Sequence, residues 1–202
     1  MPRLAGQIDL AKGEAILDAA IQVLGERGLS APMEEIARRA GVSKQTIYNH
    51  YGSKAELVRA LVRRRVAGIT APLEMPGADE HPEQALAAFA REMLHALINP
   101  RSNTMMRVYI SGATEAPDVA LAVFEAGPKA SRGRLAAFLA REHADGRLAV
   151  DDPAMAAEFF GGMVGGTYQL AGFLGVDRGL TDPQIEVIAL EAARRFLRAY
   201  SL

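Results

Sequence analysis

The sequence lacks cysteine and tryptophan, and only 6% of its 202 residues are aromatic. Without cysteine, the chain has no disulfide framework, no thiol catalyst and no zinc or iron–sulfur site built on cysteine, so a metal would need histidine and carboxylate ligands. Long blocks of like charge and low-complexity tracts are also missing, while 50% of the residues are hydrophobic. The composition therefore excludes a disordered chain and indicates a globular protein large enough to build its own core.

Neither sign of charge dominates, because 23 basic residues stand against 24 acidic ones and leave a net charge of −1. Over the whole chain, that balance argues against a polyanionic partner. The charges are distributed unevenly, however: residues 1–66 hold 11 basic and 7 acidic side chains, and residues 67–202 hold 12 and 17. The first third is cationic and the rest is anionic, so the near-neutral total is a cancellation and does not argue against a polyanionic partner.

Stretches long enough to cross a membrane are scarce. No apolar run follows Arg3, so the N-terminus does not resemble a signal peptide. The uncharged stretch 159–176 is at the lower limit for a bilayer span and contains six glycines, which favours a buried helix. We therefore expect a cytoplasmic protein with no membrane partner.

Alanine and leucine outnumber valine and isoleucine, which favours helix over strand. Apolar residues recur at three-to-four-residue spacing, so the pattern predicts an all-α protein. The predicted helices cover residues 11–27, 33–40, 44–51, 53–70, 83–98, 102–114, 118–145, 153–174 and 183–200. Asp152 and Asp182, each followed by proline, predict capped starts for the last two helices. Gly127-Pro128 predicts either a kink or a break into two helices.

Three prolines and a glycine crowd the segment that follows the fourth predicted helix. They are Pro72, Pro76, Gly77 and Pro82. No helix continues through such a segment, so we place the domain boundary at this joint. The N-terminal domain is assigned to residues 1–66, and residues 67–202 form a larger helical domain.

Two short predicted helices, residues 33–40 and 44–51, are joined by Gly41-Val42 in the manner of a helix-turn-helix. The outward positions of the second helix carry hydrogen-bonding groups instead of the Glu and Lys pairs typical of a solvated helix. These positions are Lys44, Gln45, Thr46, Tyr48, Asn49 and His50. No acidic residue occurs between Glu35 and Glu56, so this face is cationic as well as polar.

The stretch from Met33 to Leu57, MEEIARRAGVSKQTIYNHYGSKAEL, closely resembles the helix-turn-helix of the TetR family of transcriptional repressors. Residues 15–20 are similar to the first helix of that family, and the rest of the chain resembles its AcrR-type members in length and helical layout. The resemblance implies a homodimer that binds a palindromic double-stranded DNA operator. It also implies a C-terminal domain that binds a small-molecule effector and relieves repression.

Carried over residue by residue, the resemblance implies base-reading roles for Lys44, Gln45 and Thr46. It implies phosphate contacts for Tyr48, Asn49, His50 and Lys54. The chemistry agrees, because lysine donates to guanine O6 or N7 and glutamine pairs with adenine. The chain departs from the family pattern at Pro32, where a hydroxyl residue is frequent, at Gly13, where arginine is frequent, and at Tyr51, where phenylalanine is usual.

Two further surfaces are predicted in the second domain. Small and apolar residues at helical spacing predict either a dimer interface or packing within the chain; they are Gly161, Gly165, Ile185, Ile188, Ala192 and Phe196. Flexible and aromatic side chains predict either the lining of an effector pocket or ordinary core. They are Phe89, Met93, Met105, Met106, Tyr109, Phe124, Met163 and Tyr168.

The sequence favours a ligand-responsive repressor released by an apolar or aromatic effector, and no enzyme. Ser111-Gly112 does not form a nucleophile elbow, and no glycine loop of the phosphate-binding kind is present. His81, His95 and His143 are not at metal-ligand spacing. We therefore expect no catalytic residues, no metal and no cofactor. Two alternatives stay open: a constitutive DNA-binding protein without an effector, and a helical small-molecule binding protein or enzyme that has lost DNA binding.

Overall fold

The computed structural model describes residues 5–202, with side chains from Leu10 onward, so the stretch around Arg3 lies outside the described residues. The described chain forms helices and short helical turns and contains no strand, which confirms the all-α prediction. In chain order the helices are α1 (Ala5–Arg27), α2 (Met33–Arg39), α3 (Lys44–Tyr51), α4 (Lys54–Thr70), α5 (Pro82–Ile98), α6 (Pro100–Ser111), α7 (Pro117–Phe124), α8 (Ala130–Ala144), α9 (Pro153–Leu174) and α10 (Asp182–Ala199).

The starts of α9 and α10 are fixed by side chains that cap their free backbone amides. Asp152 accepts a hydrogen bond from the Met155 amide at 2.9 Å, as its place before Pro153 predicts. The cap of α10 is Thr181 and not Asp182. Gln184 accepts from the Thr181 amide at 2.9 Å and completes a capping box, so the helix begins one residue earlier than predicted.

The predicted helix over residues 118–145 is two helices. Between α7 and α8 the segment Glu125–Lys129 makes a wider helical turn, and Gly127 leaves helical geometry with φ −94° and ψ −106°. Pro128 follows it directly and has no amide hydrogen to continue the ladder of hydrogen bonds. Of the two alternatives that the sequence left open, the break is correct.

The described chain divides into two compact units. The first contains the residues up to Arg63 together with Thr104–Ala126, and the second contains Arg64–Asn103 and Gly127–Leu202. The chain thus first passes from one unit to the other within α4, between Arg63 and Arg64. The packing of residues 104–126 with the first unit was not anticipated, since the sequence assigned them to the second domain.

The core of the first unit is largely aliphatic. Side chains from α1 to α4 meet side chains from the second half of α6 and from α7, and fully buried members include Ile16, Leu24, Ile36, Ile47 and Leu57. Apolar burial of this kind stabilises a fold by about 25 cal/mol for each Å² removed from water. The packing holds the helix-turn-helix on a rigid support.

The core of the second unit is built on aromatic rings from three helices. Phe160 of α9 stacks on Phe89 of α5 with ring centroids 6.0 Å apart. It also meets Phe196 of α10 edge to face at 5.0 Å, and Tyr200 lies 4.7 Å beyond Phe196. These contacts combine large apolar burial with favourable ring geometry, so they fix α5, α9 and α10 together.

Helix α9 contains most of the uncharged stretch seen in the sequence. It is interrupted at Gly166, whose φ of 40° and ψ of −133° are open to glycine without the strain that a side chain would add. Among the described residues, no helix is both long and apolar enough to span a membrane.

Candidate nucleic-acid interface

A tight turn and a small apolar core set the geometry of α2 and α3. Ile36 and Ile47 are fully buried, and Ala37 is small enough for the two helices to cross closely. Gly41 takes φ +68°, a conformation that favours glycine. The Val42 amide then donates to the Ala37 carbonyl at 3.0 Å. This arrangement leaves the outer face of α3 in solvent.

The first turn of α3 is held by Ser43. Its hydroxyl oxygen accepts a hydrogen bond from the Thr46 amide at 3.0 Å and lies 2.8 Å from the Thr46 hydroxyl. The cap satisfies one of the free amides at the helix start and typically stabilises a helix by about 1 kcal/mol. Because the first turn is ordered in this way, Lys44 and Gln45 leave the helix in defined directions.

Lys44 and Gln45 are exposed, and each has a partner in its own unit. The Lys44 ammonium lies 2.6 Å from the Glu34 carboxylate and 5.7 Å from the centre of the Tyr48 ring. Gln45 donates its side-chain amide to Asn49 at 2.7 Å, one helical turn further on. The hydrogen bond with Glu34 raises the pKa of Lys44, and the same bond lowers the pKa of Glu34.

The residues predicted to contact phosphates differ in exposure. Tyr48 and Asn49 are exposed, whereas His50 and Lys54 are half-buried. The Lys54 ammonium donates to the Leu29 carbonyl in the turn before α2, and burial lowers the pKa of Lys54. Lys54 therefore joins the start of α4 to that turn, a structural role that the sequence did not indicate.

Tyr51 and Gly13, two residues that depart from the family pattern, contact each other in the structure. The Tyr51 hydroxyl donates to the backbone carbonyl of Gly13 in α1 at 3.3 Å. A side chain added at Gly13 would place its first carbon 3.7 Å from that hydroxyl oxygen. The tyrosine and the glycine thus form one contact between α1 and the end of α3.

Ion pairs support the back of this motif. Glu35 has only 9% of its side chain exposed and binds Arg27 at 2.8 Å. Arg39 makes two hydrogen bonds to Glu26, at 2.8 and 2.9 Å. These pairs join α2 to the C-terminal end of α1, and bidentate arginine–carboxylate geometry is the most specific of its kind.

The residues predicted to line an effector pocket are divided between the units. Met105, Met106, Tyr109 and Phe124 lie in the first unit, and Phe89, Met93, Met163 and Tyr168 lie in the second. Six of these eight side chains are buried or half-buried, whereas Phe124 and Met163 are 57% and 46% exposed. Phe89 is fully buried and packs on Phe160. A pocket lining made from these residues stays a prediction.

The residues predicted for the dimer interface lie inside the second unit. Ile185 and Phe196 are 1% exposed and Ala192 is 6% exposed, so they offer almost no surface to a second copy. Ile188 is half-buried against the same core. Gly161 and Gly165 are buried as well. Their burial favours the alternative that the sequence left open, packing within the chain, and a dimer interface made from these residues stays a prediction.

The inner glycines of α9 make room for side chains of the same unit. A carbon added at Gly161 would lie 1.9 Å from the Arg132 guanidinium. A carbon added at Gly172 would lie 2.6 Å from the side-chain amide of buried Asn103. A carbon added at Gly165 would lie 3.4 Å from the Met93 methyl group. Close approach does occur along this stripe, as the spacing predicts, but the approaching groups come from α5, α6 and α8.

The opposite side of α9 carries an exposed apolar stripe that the sequence reasoning missed. Each member has about half or more of its surface in solvent; they are Met155, Phe159, Met163, Leu170 and Leu174. Val187 of α10 is 67% exposed. The signal was present in the sequence as large apolar residues at helical spacing.

Comparison with known proteins decides the family. Residues 84–202 match the C-terminal domain of the AefR-like transcriptional repressors, and residues 16–61 match the tetR family of bacterial regulatory proteins. The chain belongs to the TetR family. It is a DNA-binding regulator of transcription, and the surface of α2 and α3 described above is the helix-turn-helix of this family.

Individual relatives agree with this assignment. The regulator SrpR of Pseudomonas putida is 32% identical over 99 residues, which are 48% of this chain and 45% of SrpR. The regulator BetI of Rhizobium meliloti is 39% identical over 64 residues, which are 31% of this chain and 30% of BetI. The matched stretches thus span less than half the length of these relatives.

Solved structures extend the likeness to both units. The flavonoid-responsive regulator FrrA is 34% identical, with a TM-score of 0.74 over 94% of this chain and 97% of FrrA. A TetR-family regulator from Mesorhizobium loti is 23% identical and shares the fold, with a TM-score of 0.77 over 96% of this chain and 98% of its own.

Proposed function

We propose that this chain is a repressor that binds a palindromic operator as a homodimer and is released by a small apolar or aromatic effector. The observation that carries the proposal is the outer face of α3, where exposed hydrogen-bonding side chains follow the Ser43 cap and buried Ile47 anchors the inner face. Such a helix brings its N-terminal side chains to base edges in the major groove. On this proposal the protein works on DNA in the cytoplasm.

Lys44, Gln45 and Thr46 are the proposed base-reading residues. Gln45 has an amide that pairs with adenine at N6 and N7, and its contact with Asn49 at 2.7 Å orients that amide before DNA arrives. Lys44 donates to guanine O6 or N7. These chemical preferences support an operator half-site that contains both a guanine and an adenine.

Tyr48, Asn49, His50 and Lys54 are the proposed phosphate contacts. Contacts of this class fix the register of a protein on the duplex and carry no sequence information themselves. An ammonium has three donors, so Lys54 can keep its bond to the Leu29 carbonyl while it donates to a phosphate oxygen. Its half-buried position supports a contact of defined geometry.

A second copy of the chain is the proposed occupant of the apolar stripe on α9. Exposed apolar surface of this extent is typical of a protein interface, and Phe159 and Leu170 are 57% and 58% exposed. A two-fold dimer places two recognition helices about 34 Å apart, one turn of DNA. Two weak half-site contacts then combine into one tight site.

The proposed effector is a planar aromatic molecule that binds within the second unit. Four of the predicted lining residues lie there: Phe89, Met93, Met163 and Tyr168. Likeness to FrrA, a flavonoid-responsive protein that is 34% identical over 94% of this chain, supports an aromatic effector. Methionine side chains adapt to such ligands because they are flexible and polarisable.

The proposed release acts through α4. This helix begins beside the recognition helix at Lys54, in the first unit, and ends at Thr70, in the second. A shift of the second unit around an effector would be carried along it to α3. Release requires the effector to bind the free protein more tightly than the DNA-bound protein.

The test is a binding assay with DNA that flanks the protein's own coding region. We expect selective binding that Gln45→Ala weakens and that flavone, used as the probe, reduces at saturation. Equal affinity for this DNA and for a scrambled duplex would overturn the proposal. Unchanged affinity across flavone and a panel of other planar aromatic compounds would overturn effector release and leave DNA binding standing.

A further inference from the structure

A carboxylate lies against the lysine at the start of the recognition helix. Glu34 of α2 holds the Lys44 ammonium at 2.6 Å, and the two side chains are 43% and 67% exposed. On its other side the ammonium lies 5.7 Å from the centre of the Tyr48 ring. Lys44 is therefore held in place between an anion and an aromatic face, although most of its surface is in solvent.

Glu34 is placed there by α2. It lies in the first turn of this helix, where Pro32 occupies the cap position and provides no side-chain hydrogen bond. The positive end of a helix favours an acidic side chain. Lys44 and, more weakly, Lys54 lower the pKa of Glu34, so its carboxylate stays charged through the neutral range.

This carboxylate is an unusual group on a surface that meets DNA. Its neighbour Glu35 is 9% exposed and paired with Arg27, so it is withdrawn from the surface. The next acidic residue along the chain is Glu56. Glu34 is thus the exposed acid within this stretch of the motif. Its negative charge weakens the attraction of the motif for phosphates, whatever the DNA sequence.

We infer that Glu34 is a specificity-determining residue, which cancels the attraction of Lys44 for phosphates and positions its ammonium to donate to a guanine. The inference rests on the proposed function, because it requires sequence-selective binding by α3. An ammonium has three N–H donors, so Lys44 can keep Glu34 and still donate to guanine. Because Glu34 already neutralises its charge, Lys44 adds little affinity for a phosphate. At a guanine it still adds affinity, because its ammonium is an oriented hydrogen-bond donor.

The test compares Glu34→Gln with wild type on two duplexes, one enriched by the wild-type protein from a random-sequence pool and one scrambled. We expect the scrambled duplex to bind roughly threefold more tightly for each subunit, within the range of an exposed ion pair. The salt dependence should steepen by about 0.9 for each subunit, because one more lysine is free to neutralise a phosphate. Affinity for the enriched duplex should not rise by as much, so selectivity falls.

Two matched variants separate this role from a general loss of negative charge. Glu56→Gln removes the same charge from the first unit, at a residue paired with Arg59, and should change both affinities by the same factor. On a Lys44→Ala background, Glu34→Gln should leave selectivity unchanged. Equal selectivity of Glu34→Gln and wild type would overturn this inference alone. A wild-type protein that enriches no sequence would overturn the proposed function and this inference with it.

Discussion

Helices α3 and α9 present opposite kinds of surface to solvent. In the first unit, α3 turns Gln45 and Asn49 outward and buries Ile47. In the second unit, α9 turns Phe159 and Leu170 outward, and its inner face combines buried glycines with Phe160 and Val164. Both helices thus bury apolar side chains on their inner sides, and in α9 the buried Phe160 and Val164 alternate with small residues.

The comparison shows that the outer face of a helix indicates the class of partner it binds. A polar and cationic outer face suits the phosphates and base edges of DNA, and an apolar outer face suits another protein surface. The glycines of α9 attract attention in the sequence because close packing often uses them. The buried glycines, however, face Arg132, Met93 and Asn103 of the same unit, so they mark packing within that unit.

The largest expected effect comes from breaking the aromatic core behind α9. Phe160→Ala removes a fully buried ring that contacts Phe89 and Phe196, and it should lower the free energy of unfolding by about 3–5 kcal/mol. Urea denaturation measures the loss.

The control is Phe159→Ala, at an adjacent ring that is 57% exposed. It should change monomer stability by less than about 0.5 kcal/mol and weaken self-association. Equal losses of stability in the two variants would contradict the assignment of inner and outer faces.

The matching experiment on the polar helix is Gln45→Ala. It removes the oriented amide and should cost about 1–3 kcal/mol of discrimination at one base pair of each half-site. Affinity for scrambled DNA should stay the same, because that affinity comes from phosphate contacts. Competition binding with single-base operator variants measures both quantities. Gln84→Ala, an exposed glutamine of α5, is the control and should alter neither; a similar loss there would remove the argument for α3.

The inner glycines are tested by Gly161→Ala. The added methyl group would overlap the Arg132 guanidinium, 1.9 Å away. This group ends a flexible side chain and can move aside only by leaving its ion pair with Glu158, so we expect a loss of about 1 kcal/mol, the low end for crowding. The matched control is Gly133→Ala in α8, where nothing lies within 4 Å of the new carbon. That change should stabilise the helix by about 0.5–1 kcal/mol. Thermal unfolding of both variants decides the point, and two changes of the same sign would show that the inner face is not crowded.

The smallest effect is expected at the cap of α3. Ser43→Ala removes the acceptor of the Thr46 amide, 3.0 Å away, and should cost about 1 kcal/mol of stability. Operator affinity should fall as well, because the first turn carries the side chains proposed to read the bases. Ser111→Ala is the control, since its hydroxyl donates to a carbonyl of its own helix and caps no helix start. If both variants keep wild-type stability and affinity, the cap does not order the recognition helix.

The two helices and the turn of the helix-turn-helix could be predicted from the sequence because several local signals agree there. Gly41, the Ser43 cap and the spacing of Ile36 and Ile47 each predict the same turn between two helices, and the structure has that turn. The contact of Glu34 with Lys44 was not predicted. It depends on the angle at which α2 crosses α3, and the hydrophobic periodicity of the sequence does not determine that angle.

The second unit was harder to predict because both faces of α9 suit packing. Glycines at spacing four occur on both sides of the helix, since Gly161 and Gly165 are buried while Gly162 and Gly166 are exposed. The large apolar residues at spacing four predict the same kind of contact. Only the positions of Arg132 and Phe89 decide which side is inside, and these residues lie far from α9 in the chain. Likewise, the packing of residues 104–126 with the first unit is a long-range contact without a local signal.

The most direct test is to let the wild-type protein select DNA from a random-sequence pool. The account predicts enrichment of an inverted repeat whose half-sites are centred about 10 bp apart, or a multiple of that distance. Gln45→Ala should change the preferred base within each half-site, and Phe159→Ala should weaken the preference for paired half-sites. Enrichment of a single site without symmetry, or of no sequence, would contradict the claim that α3 reads DNA and that α9 joins two copies.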